Sequence, residues 1–453
     1  MVVGEVATAT DVVVIGGGPG GYTAAIEAAK RGRRVTLVER DRIGGTCLNV
    51  GCIPSKALIH VAESVHNTRA AATWGVDAVP SVDLGRAKAW SDGVVAHLTG
   101  GVEKLLRSHG VTIIDGTARF AGSRRLAVAR PEGLEHLDFD DAIIATGSRP
   151  IALKSLPFDG RRVIDSTAAL ALTELPKTLA VVGGGYIGVE LGTAYAKLGT
   201  SVTIVEALDR ILPAMDKGLG AVVARRLAAL GVTVVTGSPV EGVEDDGLVL
   251  SGGRKVPADV IVVAVGRRPC TDELGLEHTS IARDQGGLIT VEPSRRAGRH
   301  VLAIGDVTAG PALAHKATAE AIVAAQTVAG ARAAFDPAAI PMVVFSDPEV
   351  ISVGHTVAAA RAEGMDVKSV KFPFTASGRA RTLAATDGYV ELVTDGDGIV
   401  IGGHAVGVGV SELAAELTVA IELAATATDL AFTIHPHPTL SESVMEAAQR
   451  LMP

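Results

Sequence analysis

"DVVVIGGGPGGYTAAIEAAKRGRRVTLVER", residues 11–40, passes from an apolar run through a glycine cluster into an alanine-rich helical stretch, then into a second apolar run that reaches Glu39. Apolar run, glycine turn, helix and second apolar run make a βαβ pattern. The turn reads Gly16-x-Gly18-x-x-Gly21. One glycine permits a tight turn, one lets the backbone approach a pyrophosphate, and one lets the helix pack closely on the strand. A diphosphate then meets the helix N-terminus. Glu39 stands where a carboxylate accepts hydrogen bonds from a ribose. One such fingerprint is weak, since glycine-rich turns also arise for steric reasons alone.

Working outward, the device occurs again. "TLAVVGGGYIGVELGTAYAKLGTSVTIVEALDR", residues 178–210, carries Gly183, Gly185, Gly188 and Glu206, each 167 residues after its counterpart. Two copies in one register predict two Rossmann-like dinucleotide-binding units. A carboxylate at 206 repels a 2′-phosphate, so the second unit is expected to take NAD rather than NADP. The competing view makes Glu39 and Glu206 two exposed strand-end glutamates. "DAIIATGSRP" (141–150) and "DVIVVAVGRRP" (259–269) read as strands that return to a sheet and hand the chain on, with Pro150 and Pro269 at the exits. "HVLAIGDVTAGPALAHKATAEA" (300–321) is a further strand, a Gly305-Asp306 turn and a helix. Asp306, at a strand's carboxyl end, faces the crevice where open α/β sheets bind ligands, or else merely turns the chain. From about Phe335 short strands give way to helical spacing in "SELAAELTVAIELAA", an α+β pattern.

The bulk composition agrees. The 453 residues suffice for about three domains. They are 47% apolar and 20% charged, with a formal net charge of −8 and no long basic run, which argues against nucleic acid or anionic membrane as partner. "MVVGEVATATDVVVIGGG" shows no basic region ahead of a long apolar stretch, so a cytoplasmic protein is expected. Three cysteines cannot form a disulfide framework for such a chain. Two of them, Cys47 and Cys52, share "GGTCLNVGCIPSK" (44–56), while Cys270 stands alone. In a reducing compartment a close pair is redox-active or metal-binding, and zinc would need further partners of comparable spacing. On an unbroken helix residues five apart point about 140° away from each other, so the pair needs a bend. Gly51 supplies backbone freedom, Pro54 suits a helix's first turn, and a helix start at Cys52 favours its thiolate.

Together, GGTCLNVGCIPSK, the two fingerprints, ATGSRP, the GD and LAHKA residues and "IHPHPTLSES" (434–443), in that order, resemble the flavin-dependent pyridine nucleotide-disulfide oxidoreductases over nearly the whole chain. Within that family the chain is most similar to members that oxidise dihydrolipoyl groups. The resemblance implies an α/β fold of two Rossmann-like domains plus a C-terminal α+β dimerisation domain. Residues 1–149 would bind FAD, 150–267 NAD, 268–335 would complete the FAD domain, and 336–453 would form a homodimer. It implies that Cys47 exchanges with the substrate dithiol and that Cys52 lies against the flavin as a charge-transfer thiolate. Lys56 would sit at the flavin's redox edge and pair with Glu190, Asp306 would bind the ribityl chain, and Ala118, Thr146, Gly147 and Ala314 would contact FAD. Val240 and Gly266 fall to the NAD side.

Thiol exchange needs thiolate, and a free thiol of pKa about 8.5 is mostly protonated at neutral pH, so a base is expected. His437 matches the family's acid/base, acting across the dimer interface, and Glu442 matches the carboxylate that orients its ring. Spacing offers a rival for Glu442, since Thr439-x-x-Glu442 ahead of "SVMEAAQRL" is a capping box. His435 reads as structural, and Pro436 and Pro438 hold both histidines in extended backbone. Cys270 stands where the family usually has asparagine. The expected partner is a dihydrolipoyl group, borne on an acyltransferase or lipoyl protein of a 2-oxo acid dehydrogenase or glycine-cleavage system. Two alternatives stay open: a reductase of another thiol disulfide, such as a mycothione-type one, and a scaffold component of such a complex. A mercuric reductase would carry a vicinal cysteine pair near the C-terminus, which is lacking here.

Overall fold

Each apolar run flanking a glycine turn forms a strand buried on both faces, as the centre of a parallel sheet requires. In the computed structural model, which describes residues 8–452, Thr8–Ile15 pairs in parallel with Val35–Glu39 and with Gly133–Ile144. Val12, Val13 and Val14 are wholly buried. Residues 1–7, where the expectation about targeting begins, lie outside that range. The sheet order is Arg296–Gly298, Val301–Ala303, Gly133–Ile144, Thr8–Ile15, Val35–Glu39, Thr112–Asp115. Helix Pro19–Lys30 packs on helix Ala314–Val328, and both use small residues to do so: Ala24, Ala25 and Ala28 share one core with Ala321, Ala324 and Ala325. This places the first glycine turn and the Gly305-Asp306 turn, which follows Val301–Ala303, at the carboxyl ends of the two parallel strands that flank Gly133–Ile144.

By its contacts the chain divides into two compact units, one of residues up to 57 with 85–151 and 266–336, the other of 58–84, 152–265 and 337 onward. In the first, Ser148–Pro150 and Arg267–Pro269, the two proline exits, pair antiparallel. The second contains a five-stranded parallel sheet ordered Thr233–Val235, Ser201–Val205, Thr178–Val182, Val260–Val263, Val163–Ile164. It also contains an antiparallel sheet ordered Met342–Val344, Glu349–Gly354, Val400–Gly407, Tyr389–Asp395, Val367–Pro373. Helices Ala414–Glu422 and Glu442–Gln449 bury Leu417, Ala420, Val444 and Ala447 in one core with Ile351, Val390, Leu392 and Ala405 of that sheet. Burying each such Leu, Ile or Val contributes about 1.5–3 kcal/mol. The strands-then-helices order thus closes into an α+β layer whose far helix carries Glu442. Among the described residues no helix is long and apolar enough to cross a membrane.

Candidate active site

The cysteine segment is built onto the first glycine turn. Gly44 N donates to Gly17 O at 2.8 Å, and a Cβ on Gly45 would lie 2.6 Å from Gly18 Cα, so only glycine fits there. Helix Gly45–Val50, which carries Cys47, starts from this contact. Asn49 Nδ2 donates to Ile43 O and Gly45 O, each at 3.0 Å, and locks the loop, a role that the sequence alone did not reveal. The helix stops at Gly51, whose Cβ would stand 2.9 Å from Thr46 O, and helix Cys52–Ala70 starts at once with Pro54 in its first turn. Gly51 is therefore required by close approach, with φ at −136°.

The stop at Gly51 and the fresh helix start at Cys52 leave the two sulfurs within hydrogen-bonding reach, with no disulfide between them. The Cys47 thiol is pushed far up, first because it donates to Cys52, then by burial and by negative charge on Cys52, with Lys56 acting the other way. Cys52 stands at a helix N-terminus, whose dipole favours an anion. Tyr22, on the helix of the first glycine turn, has its phenol raised by burial and by both cysteines.

The two nucleotide turns share a design down to single hydrogen bonds. Glu39 Oε2 accepts from Gly17 N at 2.6 Å and Oε1 from Asp41 N at 2.9 Å; Glu206 Oε2 accepts from Gly184 N at 2.6 Å and Oε1 from Leu208 N at 2.8 Å. Both glutamates are buried, which overturns the view of them as exposed strand ends. Gly16 and Gly183 have φ of +103° and +112°, and a Cβ on Gly21 or Gly188 would fall 1.8 or 2.0 Å from the carbonyl oxygen of Gly16 or Gly183. The middle glycines differ. A Cβ on Gly18 would find its nearest atom at 3.9 Å and one on Gly185 nothing within 4 Å, and no side chain caps either helix that follows. Space and uncapped helix N-termini together suit a diphosphate at each turn.

Asp306 lies in the short turn Gly305–Val307, where its Oδ2 accepts from Ser148 Oγ at 2.6 Å. Arg267 Nε in turn donates to Ser148 Oγ at 2.8 Å. Behind the turn is a polar cluster that the sequence analysis missed. Glu320, wholly buried, accepts from Gly305 N at 2.6 Å, from Arg295 Nη1 at 2.9 Å and from Thr308 Oγ1 at 3.2 Å, and pairs with Lys316 Nζ at 3.2 Å. The only hint was polar Lys316 and Glu320 within an alanine-rich helix.

Glu442 bonds both residues weighed as its partners, but the helix is not capped by Thr439. Its Oε1 bonds His437 Nδ1 at 2.8 Å, and its Oε2 accepts from Thr439 N at 2.8 Å. The helix begins at Glu442 itself, so only half of a capping box forms, and Thr439 Oγ1 donates to Pro436 O instead. The carboxyl is held low, first by Thr439 N–H and then by His437. His437 remains 79% exposed, whereas His435 is buried to 5% and bonded to Glu416 and Thr433.

The remaining candidates fall as follows. Lys56 lies one turn along the helix from Cys52, in the first unit. Glu190, in the second, is buried and accepts from Phe345 N at 2.9 Å. Ala118 is buried in the strand Thr117–Gly122, and Ala314 opens a helix whose start no side chain caps. Thr146 Oγ1 donates to Cys270 O and Cys270 N to Gly147 O, both at 2.8 Å, so Cys270 is a buried residue of the fold. Gly266 O accepts from Ile151 N at 3.1 Å, and Val240 begins a strand of the small antiparallel sheet.

Residues 10–321 match the family model described as pyridine nucleotide-disulphide oxidoreductase, and 340–448 match that family's dimerisation domain. The chain is 48% identical to a dihydrolipoyl dehydrogenase of Geobacillus stearothermophilus, covering 99% of this chain and 97% of the relative. It is 47% identical to one from Halobacterium salinarum, covering 100% and 98%. Among solved structures it is similar to LpdA of Mycobacterium tuberculosis, with TM-score 0.92, 29% identity and coverage of 98% and 100%. It is also similar to the HOCl-induced flavoprotein disulfide reductase RclA of Escherichia coli, with TM-score 0.87, 29% identity and coverage of 97% and 99%. Relatives matched from end to end, and a close dithiol seated on the first of two like glycine turns, lead to one conclusion: this chain belongs to the pyridine nucleotide-disulphide oxidoreductase family.

Proposed function

We propose that the chain is an FAD-dependent dihydrolipoyl dehydrogenase that oxidises a dihydrolipoyl dithiol and reduces NAD⁺. The observation that carries this is the close Cys47–Cys52 pair, with Cys52 at a helix N-terminus, anchored to a turn suited to a dinucleotide. The relatives' names supply the substrate. FAD, when bound, supplies the two-electron link between dithiol and nicotinamide.

In this mechanism the oxidised enzyme holds a Cys47–Cys52 disulfide. A substrate thiol gives its proton to His437, and the resulting thiolate attacks Cys47, breaking the disulfide and releasing Cys52 as thiolate. The second substrate sulfur then displaces Cys47 from the mixed disulfide. A cyclic disulfide leaves, and the protein retains both electrons as its dithiol. Glu442 orients His437 and stabilises its protonated ring, the role supported by the 2.8 Å bond.

Gly16, Gly18, Gly21, Glu39, Lys56, Ala118, Thr146, Gly147, Asp306 and Ala314 are assigned to FAD. Gly183, Gly185, Gly188, Glu206, Val240 and Gly266 are assigned to NAD, and Glu190 to support of Lys56. Residues 1–149 with 268–335 form the FAD domain, 150–267 the NAD domain and 336–453 the dimer contact. The exposure of His437 supports a homodimer in which it serves the dithiol of its partner, as do Phe432 and Ile434 just before it, 76% and 94% exposed. The protein works in the cytoplasm on dihydrolipoyl groups carried by a lipoyl protein or acyltransferase. Anaerobic titration with dihydrolipoamide tests this: a long-wavelength thiolate-to-flavin band is expected, then NADH on adding NAD⁺. Cys52→Ser is expected to keep FAD and lose turnover, and retained turnover would overturn the assignment.

A further inference from the structure

The segment that bears His437 runs between helices Ala427–Phe432 and Glu442–Gln449, and two of its residues, Pro436 and Pro438, have no N–H to offer. Side chains tie it at both of its histidines. One tie is the bond between Glu442 and His437 itself. The other is two residues earlier, where His435 Nε2 bonds Glu416 Oε1 at 2.7 Å and His435 Nδ1 bonds Thr433 O at 2.8 Å. Both partners are oxygens, one on each side of the ring, so the two contacts fix its orientation. The ring is pinned between helix Ala414–Glu422 and its own backbone. Its burial contrasts with His437: 5% of the His435 side chain is exposed against 79% of its neighbour.

We propose that His435 and Glu416 are positioning residues for His437, fixing where its exposed ring stands for proton transfer with the substrate thiols. This rests on the function proposed above. The 2.7 Å bond to Glu416 ties the segment to the helix Ala414–Glu422, whose Leu417 and Ala420 are buried in the core under the antiparallel sheet, so the segment inherits the rigidity of that layer. Without it the segment keeps its tie to Glu442, on the second helix of that core, but loses its anchor on the first. A misplacement of about 1 Å in a proton-transfer group lowers turnover by about 10- to 100-fold.

The test uses the FAD-loaded full chain and two assays. Dihydrolipoamide with NAD⁺ requires the thiol half-reaction, whereas NADH with ferricyanide bypasses it. Glu416→Ala and His435→Gln are expected to lower kcat in the first assay about tenfold or more and to leave the second within about twofold of the parent. Glu416→Gln, whose amide oxygen still accepts from Nε2–H, is expected to recover most of the loss. Thiol turnover within twofold of the parent in both Glu416→Ala and His435→Gln would overturn the proposal. So would parallel loss in both assays, which signals general damage. His437→Gln separates the two levels: if it leaves dihydrolipoamide turnover intact, the base assignment fails; if it abolishes turnover while Glu416→Ala does not reduce it, only the positioning role fails.

Discussion

Replacing Glu320 by Gln exposes how the Gly305-Asp306 turn is held. The carboxylate is wholly buried and faces donors on every side: Gly305 N, Arg295 Nη1, Thr308 Oγ1 and Lys316 Nζ, at 2.6–3.2 Å. An amide can place its oxygen toward one group of donors only, and its NH₂ then meets another donor. Lys316 and Arg295, 2% and 9% exposed, are left as buried cations without a countercharge. Breaking a buried pair from one side costs about 3–5 kcal/mol. For a unit of roughly 200 residues, each kcal/mol moves the melting point about 2–4 °C, so a fall of about 6–20 °C is expected. Thermal melts of the FAD-free protein followed by circular dichroism measure this, and FAD retention on dialysis should fall with it, since Asp306 sits on the same turn. A melting point within about 2 °C of the parent, with FAD held equally well, would refute the role given to Glu320.

The glycines of the first turn should respond in opposite ways. Gly21→Ala drives a methyl to 1.8 Å from Gly16 O and is expected to prevent folding, seen as insoluble protein. Gly18→Ala, at an extended backbone position with its nearest neighbour 3.9 Å away, is expected to fold while losing FAD affinity by about tenfold or more, about 1.4 kcal/mol, by fluorescence titration. Gly185→Ala is expected to keep FAD and raise the KM for NAD⁺ by a similar factor; an unchanged KM would show that the second turn does not meet the diphosphate. A fourth expectation concerns pH. His66 accepts from Arg226 Nη2 at 3.1 Å, and burial, then Lys197 and Arg226, hold its pKa below 6.5, against the pull of Asp347. With the folded value below the unfolded one, the unfolded chain binds more protons, so stability is present above pH 6.5 and is lost as pH falls from there. His66→Gln should flatten that part of the slope in urea midpoints measured at pH 7.5 and 5.5, and identical slopes would count against it.

Much of the site was legible because its signals are local. A glycine turn between apolar runs is dictated by backbone geometry within about 30 residues, which is why both fingerprints, their glutamates and the helix start at Cys52 could be located by spacing. The choice between a capping box and a bond to His437 for Glu442 could not be made from spacing; one oxygen meets His437, the other Thr439 N, and the helix starts too late for Thr439 to cap it. Gly51 was anticipated for conformational freedom, yet the contact with Thr46 O is what demands it.

The sequence by itself determined the repeated βαβ units, their glycine turns and the α+β C-terminal layer, because periodicity, turn chemistry and motif spacing act between near neighbours. Only the tertiary structure decided the rest. Glu320 meets Arg295 from 25 positions away, His435 meets Glu416 from 19, and Arg226 meets His66 from 160. Such pairs carry no mark in composition or spacing, since a buried charge becomes tolerable only when folding brings its counter-group within hydrogen-bonding distance.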